Sequence, residues 1–514
     1  MIVLYHNHNK VTKIISKSNE ISPFDKTANI ASVFIELAIQ NPQSKIVWCH
    51  ENYHSFLNLD LIESLFYHDK IMLSFNPDNL SFLGEKIGYI DESPFIKINK
   101  KVSYPTWLMS SSAGIIHAAV LLEVNNKIKP DSDFAYYLSS IAKVCMPLGL
   151  LCYSEPRLLK NNNVFEDIKP SNIVLFKFVK QHYRTRWIFL LFLNLMIYEL
   201  KFPVFALFYS LFFKNRNKNT IKLDKIKVNS SLNDEIDLET VDVLIPTIGR
   251  KKYLYDVLSD LLKQTHLPEN VIIVEQNPDM QSTSELDYLD AENWPFKIKH
   301  TFITQTGACN ARNVALSQVE SKWIFFADDD IRFNENFIES AVDLISQYKC
   351  KAVSFRCFQE NEKQTIKEIC QWSAFGSGCS FVNSKAIKNV QFDLRYEFGF
   401  GEDTDFGMQI RNLGCDVLYF PTPEILHLKA PIGGFRTKPS LLWSNDEIKP
   451  KPSPTITLYK LLHETKEQHN GYKTILFFKY YRNQSVKNPI KYYFKFQKEW
   501  KRSLYWANKL INKA

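Results

Sequence analysis

The run Trp323-Ile-Phe-Phe-Ala-Asp328-Asp329-Asp330 constrains this chain more than any other stretch. Five apolar or small residues lead straight into three consecutive carboxylates. The apolar part reads as a buried strand of a parallel sheet, whose strands are covered on both faces. The carboxylates then fall at the strand's carboxyl end, where open α/β sheets bind ligands. Three adjacent carboxylates repel one another, so they persist with a cation or in full solvent. Mg²⁺ and Mn²⁺ favour such oxygen ligands, often shared with ligand phosphates. Taken alone, the triplet is equally consistent with a solvated acidic turn.

A chain of 514 residues is too long for one ordinary domain. Around the triplet, strand and helix patterns alternate. Val241 to Pro246 and Val271 to Glu275 read as strands, Tyr253 to Lys263 and Ala311 to Val319 as helices. This β-α-β order predicts an α/β domain over residues 240–447, built on a doubly wound parallel sheet. The first part of the chain, residues 1–165, repeats the pattern in eroded form. Ser44-Lys45-Ile-Val-Trp-Cys-His50-Glu51-Asn52 echoes Ser321 to Asp329, Ile62-Glu63-Ser64 echoes Ile338-Glu339-Ser340, and Asp131-Ser132-Asp133-Phe134 echoes Asp403-Thr404-Asp405-Phe406. Their common order argues a duplication whose first copy has lost its carboxylate triad at His50-Glu51-Asn52. That copy is expected to be non-catalytic: a scaffold, an acceptor platform or a homodimer contact.

Residues 166–239 hold an apolar segment and a polar linker. Trp187 to Phe213 is long enough to span a bilayer. Glu199 and Lys201 interrupt it, where charges are costly, and basic residues flank both ends. A monotopic hairpin or in-plane helix pair broken near Pro203 is the leading reading, ahead of a single span and of a core helix pair. Residues 448–514 form a basic, aromatic tail, expected to be helical, that suits a membrane surface or domain packing. The net charge of +8 is spread along the chain and favours an anionic membrane surface or a phosphorylated substrate. No arginine-rich helix or zinc-finger spacing is present, so no nucleic-acid partner is expected. The nine cysteines form no Cys-x-x-Cys pair and read as reduced thiols. The start of the chain lacks a secretory pattern.

Other segments offer chemistry at matching places. Pro246-Thr247-Ile-Gly249-Arg250 is a strand-to-helix junction that presents backbone N–H groups and a guanidinium to an anion. Glu275 ends the second strand. Thr306-Gly307-Ala-Cys-Asn310-Ala-Arg312-Asn313 is a small-residue turn that lets a flat ligand approach polar side chains. Gly401-Glu402-Asp403-Thr-Asp405 opens a helix with more carboxylates than capping requires, and one of them suits a general base. His427 follows an apolar strand, and Gly433-Gly434-Phe-Arg436 reads as a mobile loop over anionic groups.

In this order, residues 240 to 437 resemble the family-2 glycosyltransferases of GT-A fold, most specifically at Asp328-Asp329-Asp330 and Gly401-Glu402-Asp403. The resemblance implies two GT-A-like domains with mixed, mostly parallel sheets, the first degenerate. It implies a nucleotide-sugar donor such as a UDP-sugar, a Mn²⁺ or Mg²⁺ ion, inversion at the anomeric carbon, and a glycan or lipid-linked saccharide acceptor. It assigns Asp403 as base and Glu402 as acceptor-positioning partner. Pro246, Thr247, Arg250, Glu275, Asn310, Arg312, Asp328 and Asp329 would bind the nucleotide sugar, and Asp330 and His427 the metal. Trp372, Gly376, Ser377 and Gly378 would line the acceptor side, and Arg436 would contact phosphate from its loop. Glu275 stands where aspartate is more usual. No Gln-x-x-Arg-Trp motif follows Asp403, which disfavours a processive polymerase. The expected place of action is the cytoplasmic side of the inner membrane, peripheral or monotopic. A non-catalytic saccharide-binding scaffold and a sugar nucleotidyltransferase are the competing readings; the second lacks its glycine- and lysine-rich N-terminal loop.

Overall fold

In a computed structural model, residues 1–16, 24–77, 81–160, 170–216, 220–226, 228, 239–431 and 440–512 are described. The chain divides into two units. Unit 1 comprises Met1–Leu232 with Thr465–Ile475, and unit 2 comprises Asn233–Glu464 with Leu476–Ala514.

Short apolar runs rich in β-branched and aromatic residues become strands in both units. In unit 1 these are β1 (Ile2–Asn7), β2 (Lys10–Ile15), β3 (Lys45–His50), β4 (Ile71–Phe75), β5 (Tyr104–Pro105), β6 (Ala113–His117) and β7 (Leu151–Ser154). They form one sheet in the order β2-β1-β3-β6-β4-β7-β5. Only β1 with β3 and β4 with β7 run parallel.

Unit 2 contains β8 (Val241–Thr247), β9 (Asn270–Gln276), β10 (Lys297–Ile303), β11 (Trp323–Ala327), β12 (Ile331–Arg332), β13 (Ala352–Phe358), β14 (Cys370–Gln371), β15 (Cys379–Asn383) and β16 (Val417–His427). Their sheet runs β10-β9-β8-β11-β15-β13-β16-β12, with β14 also paired to β16. The first four strands are parallel, and β15 then enters antiparallel between β11 and β13. The sheet is therefore mixed, with its parallel half forming the β-α-β part. Every residue of β11 is buried, and Phe325 stacks on Phe381 of β15 at 4.7 Å. The helix Lys251–Leu262 buries Leu254, Val257, Leu258 and Leu261, the i, i+3, i+4, i+7 stripe of an amphipathic helix.

The two sheets share a topology. The path β1-β3-β6-β4-β7-β5 matches β8-β11-β15-β13-β16-β14 in chain order and in the direction of every neighbouring pair. Ile46 lies opposite Ile2 and Ile116, as Trp323 lies opposite Val241 and Asn383. This register is that of the sequence echo, and it sets Glu51, Asn52 and Tyr53 where Asp328, Asp329 and Asp330 stand, one place further along than the expected lost triad His50-Glu51-Asn52. The units differ at one edge. Beyond β1 lies the antiparallel hairpin strand β2, whereas beyond β8 lie the parallel strands β9 and β10.

The apolar segment of unit 1 forms the helices Arg186–Glu199 and Val204–Ser210, which part at Leu200, a residue with φ 54°. Glu199 pairs with Lys201 at 2.9 Å and Lys86 at 3.5 Å, which neutralises the interrupting charges. Among the described residues no helix is long and apolar enough to cross a membrane. Between residues 189 and 212 ten large apolar side chains are exposed, Phe205 by 70% and Phe212 by 85%. The last part of the chain is helical. Thr457 and Ser503 join the helices Pro454–His463 and Pro489–Ile511 at 2.6 Å, and Leu458, Ala507 and Leu510 enter the core of unit 2. Of the tail aromatics, read as membrane-surface or domain-packing elements, Tyr492, Phe496 and Trp500 are buried in packing, while Tyr493 and Phe494 are exposed.

Candidate active site

Strand β11 ends at Ala327, and the next three residues deliver their carboxylates to one cleft in three different environments. Asp328 is half-buried and 3.3 Å from Arg312 Nη2. Gly378 makes room for it: a Cβ there would lie 2.1 Å from Asp328 Oδ2. Asp329 is buried, accepting from Thr247 Oγ1 and from Arg250 Nη1, each at 2.6 Å. Burial pushes its carboxyl up to about 6, against the pull of Arg250 and Thr247. Asp330 is also buried, and accepts from Ala430 N at 2.8 Å through Oδ2. Burial would raise its pKa too, but His427, the Ala430 N–H and Arg250 outweigh that and hold it below the usual carboxylate range.

Pairing of β12 with β16 explains how a distant histidine reaches the triplet. Ile331, the residue after Asp330, lies opposite His427. His427 Nε2 is then 3.2 Å from Asp330 Oδ1, and this contact raises its pKa. One ligand atom each from Asp328, Asp330 and His427 lie within 4.8 Å of one another. Asp330 Oδ1 is buried and has no well-formed hydrogen bond. A buried carboxylate oxygen left in this state is costly unless a cation meets it. Two carboxylates and an imidazole suit Mn²⁺ or Mg²⁺, so these residues fit a divalent ion.

The facing wall is the N-terminus of the helix Glu402–Asn412. Ser377 Oγ donates to Asp403 Oδ1. Burial raises the Asp403 carboxyl, and burial with the neighbouring Asp403 charge pushes Glu402 up to about 7. Arg411 of the same helix is fully buried and donates to Trp372 O and, at 3.2 Å, to Ser373 O. It thereby ties the strand that leads into Gly376-Ser377-Gly378. A third carboxylate, Glu397, accepts from Cys309 N at 3.1 Å and Asn310 N at 2.8 Å. It caps the helix Ala308–Leu316 and so supplies the negative charge that this N-terminus attracts.

Pro246, Thr247, Arg250, Arg312, Asp328, Asp329, Asp330, Gly376, Ser377, Gly378, Glu402, Asp403 and His427 all line this one cleft of about 480 Å³. Three expected residues do not. Glu275 accepts from Ser284 Oγ at 2.5 Å and Glu285 N at 3.0 Å and lies 3.0 Å from His300 Nε2. Its neighbour Gln276 lines the cleft instead and accepts from Gly307 N at 2.6 Å. Asn310 turns back to donate to Gln305 O at 3.2 Å. Trp372 lines a separate cavity of about 310 Å³, which shares Cys357, Gly376, Cys379 and Asp403 with the cleft. Arg436 lies outside the described residues. Arg250, expected to meet a ligand anion, already pairs with Asp329 and, at 3.2 Å, with Asp330. Gln276, Glu397, Cys357 and Cys379 were not expected in the site. Only the small-residue turn at Gly307 hinted at a capping partner for its helix.

Residues 242–400 match the family model of Glycosyl transferase family 2. Over 183 residues the chain is 26% identical to the minor teichoic acid biosynthesis protein GgaB of Bacillus subtilis (strain 168), covering 30% of this chain and 19% of that protein. Over 172 residues it is 23% identical to the poly(ribitol-phosphate) β-N-acetylglucosaminyltransferase TarS of Staphylococcus aureus (strain Mu50 / ATCC 700699), covering 32% and 28%. The chain thus spans less than a third of the length of either. The crystal structure of S. aureus TarS 1-349 in complex with UDP-GlcNAc aligns at 17% identity and TM-score 0.35, covering 48% of this chain and 74% of that one.

Proposed function

We propose, from the premise that residues 242–400 form a glycosyl transferase family 2 domain, that the chain is an inverting, metal-dependent glycosyltransferase. It moves a sugar from a UDP-sugar to a hydroxyl of a glycan or lipid-linked acceptor in cell-surface polysaccharide synthesis. The observation that carries this reading is the position of Asp403. Its residue lines both the cleft of the carboxylate triplet and the smaller cavity beside Trp372. A base that serves two substrates belongs at such a boundary. The relatives named for teichoic acid biosynthesis and for β-N-acetylglucosaminyl transfer suit the same substrate class.

Asp328, Asp330 and His427 would hold the divalent cation, which when bound offsets the charge that builds on the diphosphate leaving group. Pro246, Thr247 and Gln276, at the ends of β8 and β9, receive the nucleoside. Asp403 takes the proton of the acceptor hydroxyl. Its Oδ1 is fixed by Ser377, which leaves Oδ2 for that proton. As the acceptor oxygen bonds to the anomeric carbon, the bond from that carbon to the diphosphate breaks on the opposite face. One displacement with no enzyme nucleophile inverts the centre. Glu402 positions the acceptor beside the base.

Transfer and hydrolysis of UDP-sugars by the full chain, followed by UDP release, test this reading. Asp330→Ala and Asp403→Asn each lower turnover by at least about a hundred-fold, the scale of a lost charge-stabilising or base contribution. Unchanged turnover in both variants overturns it.

Unit 1 is a non-catalytic copy in this reading, since its β3 runs into Glu51, Asn52 and Tyr53 and no parallel strand occupies the place of β9. The exposed apolar side chains between residues 189 and 212 hold the protein in the plane of the membrane at its cytoplasmic face.

A further inference from the structure

Unit 1 encloses a cavity of about 290 Å³. It is built from the ends of β4 and β7, the segment from β5 towards β6, and the first turn of the helix Phe134–Cys145. The cavity beside Trp372 in unit 2 is built from β13, β16, the segment from β14 to β15, and the first turn of the helix Glu402–Asn412. Under the shared topology these are the same place. Unit 1 has therefore kept the acceptor end of the fold, while β2 has replaced the strands that shape the donor end.

The chemistry inside is that of a small polar ligand. Thr106 and Ser110 are buried, and each hydroxyl oxygen accepts a backbone N–H: Leu108 N at 2.9 Å and Ser112 N at 3.0 Å. These bonds fix both oxygens and leave both O–H protons to donate. Among the described residues neither proton meets an acceptor. Phe82, Phe95 and Tyr104 supply apolar faces, and Lys100 is the single cation of the lining. One cation without a carboxylate triplet does not suit a nucleoside diphosphate. Buried hydroxyls with a donor to spare, beside aromatic rings, suit a sugar ring, and the volume sits at the lower end of ligand pockets, enough for a residue or two. We infer that unit 1 carries a second saccharide-binding site, which holds a sugar residue of the acceptor glycan through Thr106 and Ser110. The catalytic base is missing there: Asp131, which the sequence echo sets against Asp403, is not part of the cavity lining and pairs with Lys177 at 2.7 Å. The identity of the glycan as acceptor rests on the transferase reading above; the existence of the site does not.

The test uses the full chain carrying Asp403→Asn, so that turnover plays no part. The probes are the methyl glycosides of glucose, galactose, N-acetylglucosamine and N-acetylgalactosamine, observed by saturation-transfer NMR. At least one binds, and Thr106→Val with Ser110→Ala weakens its affinity about ten-fold, as two lost hydrogen bonds require. The same pair in the otherwise natural chain leaves UDP-sugar hydrolysis unchanged. Should that pair unfold in a thermal melt, Ala135→Leu, which fills the cavity from its helix, replaces it. Binding of none of the four glycosides, or binding that a folded variant does not weaken, overturns the site. Loss of turnover in Asp403→Asn is read separately and bears on the transferase reading alone.

Discussion

Glu402 shows how one residue couples stability to the site. Burial and the adjacent Asp403 push its carboxyl from the ordinary range up to about 7. The folded state thus binds its proton more tightly than the unfolded chain does. Its stabilising contribution is complete below about pH 4.5, and is lost as pH rises through about 7. Glu402→Gln removes that loss. Chemical denaturation at pH 8 finds the variant more stable than the natural chain by about 1–3 kcal/mol, whereas at pH 4.5 the two coincide. A variant that is less stable at pH 8 refutes the assignment of strain to this carboxylate. Asp329 contrasts with it: its raised carboxyl is held by Thr247 and Arg250, which fix the triplet from behind. Gly378 belongs at this scale as well, because any side chain there collides with Asp328.

Elements place these residues, and one buried aspartate holds several elements together. Asp242 in β8 accepts from Asn270 Nδ2 at 2.7 Å, Glu320 N at 2.7 Å, Ser321 N at 3.0 Å and Ser321 Oγ at 2.6 Å. It joins β9 to the turn that launches β11. Asp242→Ala strands these donors in a buried setting and lowers unfolding free energy by about 3 kcal/mol, measured by denaturant melts. A loss below about 1 kcal/mol contradicts that role. The sequence was legible where the cleft is lined by residues adjacent in the chain. The strand before the triplet, the carboxylates at Glu402-Asp403 and the junction at Pro246-Thr247 all read directly from pattern. Legibility failed by a single residue at the end of β9, where side chains alternate between faces. Glu275 therefore points to His300, and Gln276 reaches Gly307 in the cleft. Glu397 was not legible because its partners, Cys309 and Asn310, lie far away in the chain. Nor could any motif show that Arg411 would anchor Trp372. The break of Trp187 to Phe213 into two helices near Pro203 was legible from its charges and its proline, but not the left-handed residue Leu200 at which the first helix ends.

At the scale of the whole molecule, two properties bear on where the chain works. It carries a net charge of +8, and its helices between residues 186 and 210 turn aromatic side chains to solvent. Together they suit an anionic lipid surface, where apolar insertion and charge attraction add. On the proposed membrane reading, the expected outcome of a flotation assay is that the protein rises with phosphatidylglycerol-containing vesicles. Phe205→Ser with Phe208→Ser lowers that binding at least ten-fold, since each buried phenyl ring is worth roughly 1.5–3 kcal/mol. Equal flotation of the variant removes this surface as the contact.

In the proposed reading of unit 1 as a degenerate copy, the hairpin strand β2 gives its history a direction. Residues 51–53 already hold one carboxylate, Glu51, and a carboxylate triplet could return there by two substitutions. A parallel strand exchanged for an antiparallel one cannot, because reversing it requires a new crossover and a new edge to the sheet. In that reading unit 1 is on a one-way path: free to change what it holds, and barred from becoming a second catalyst by point mutation.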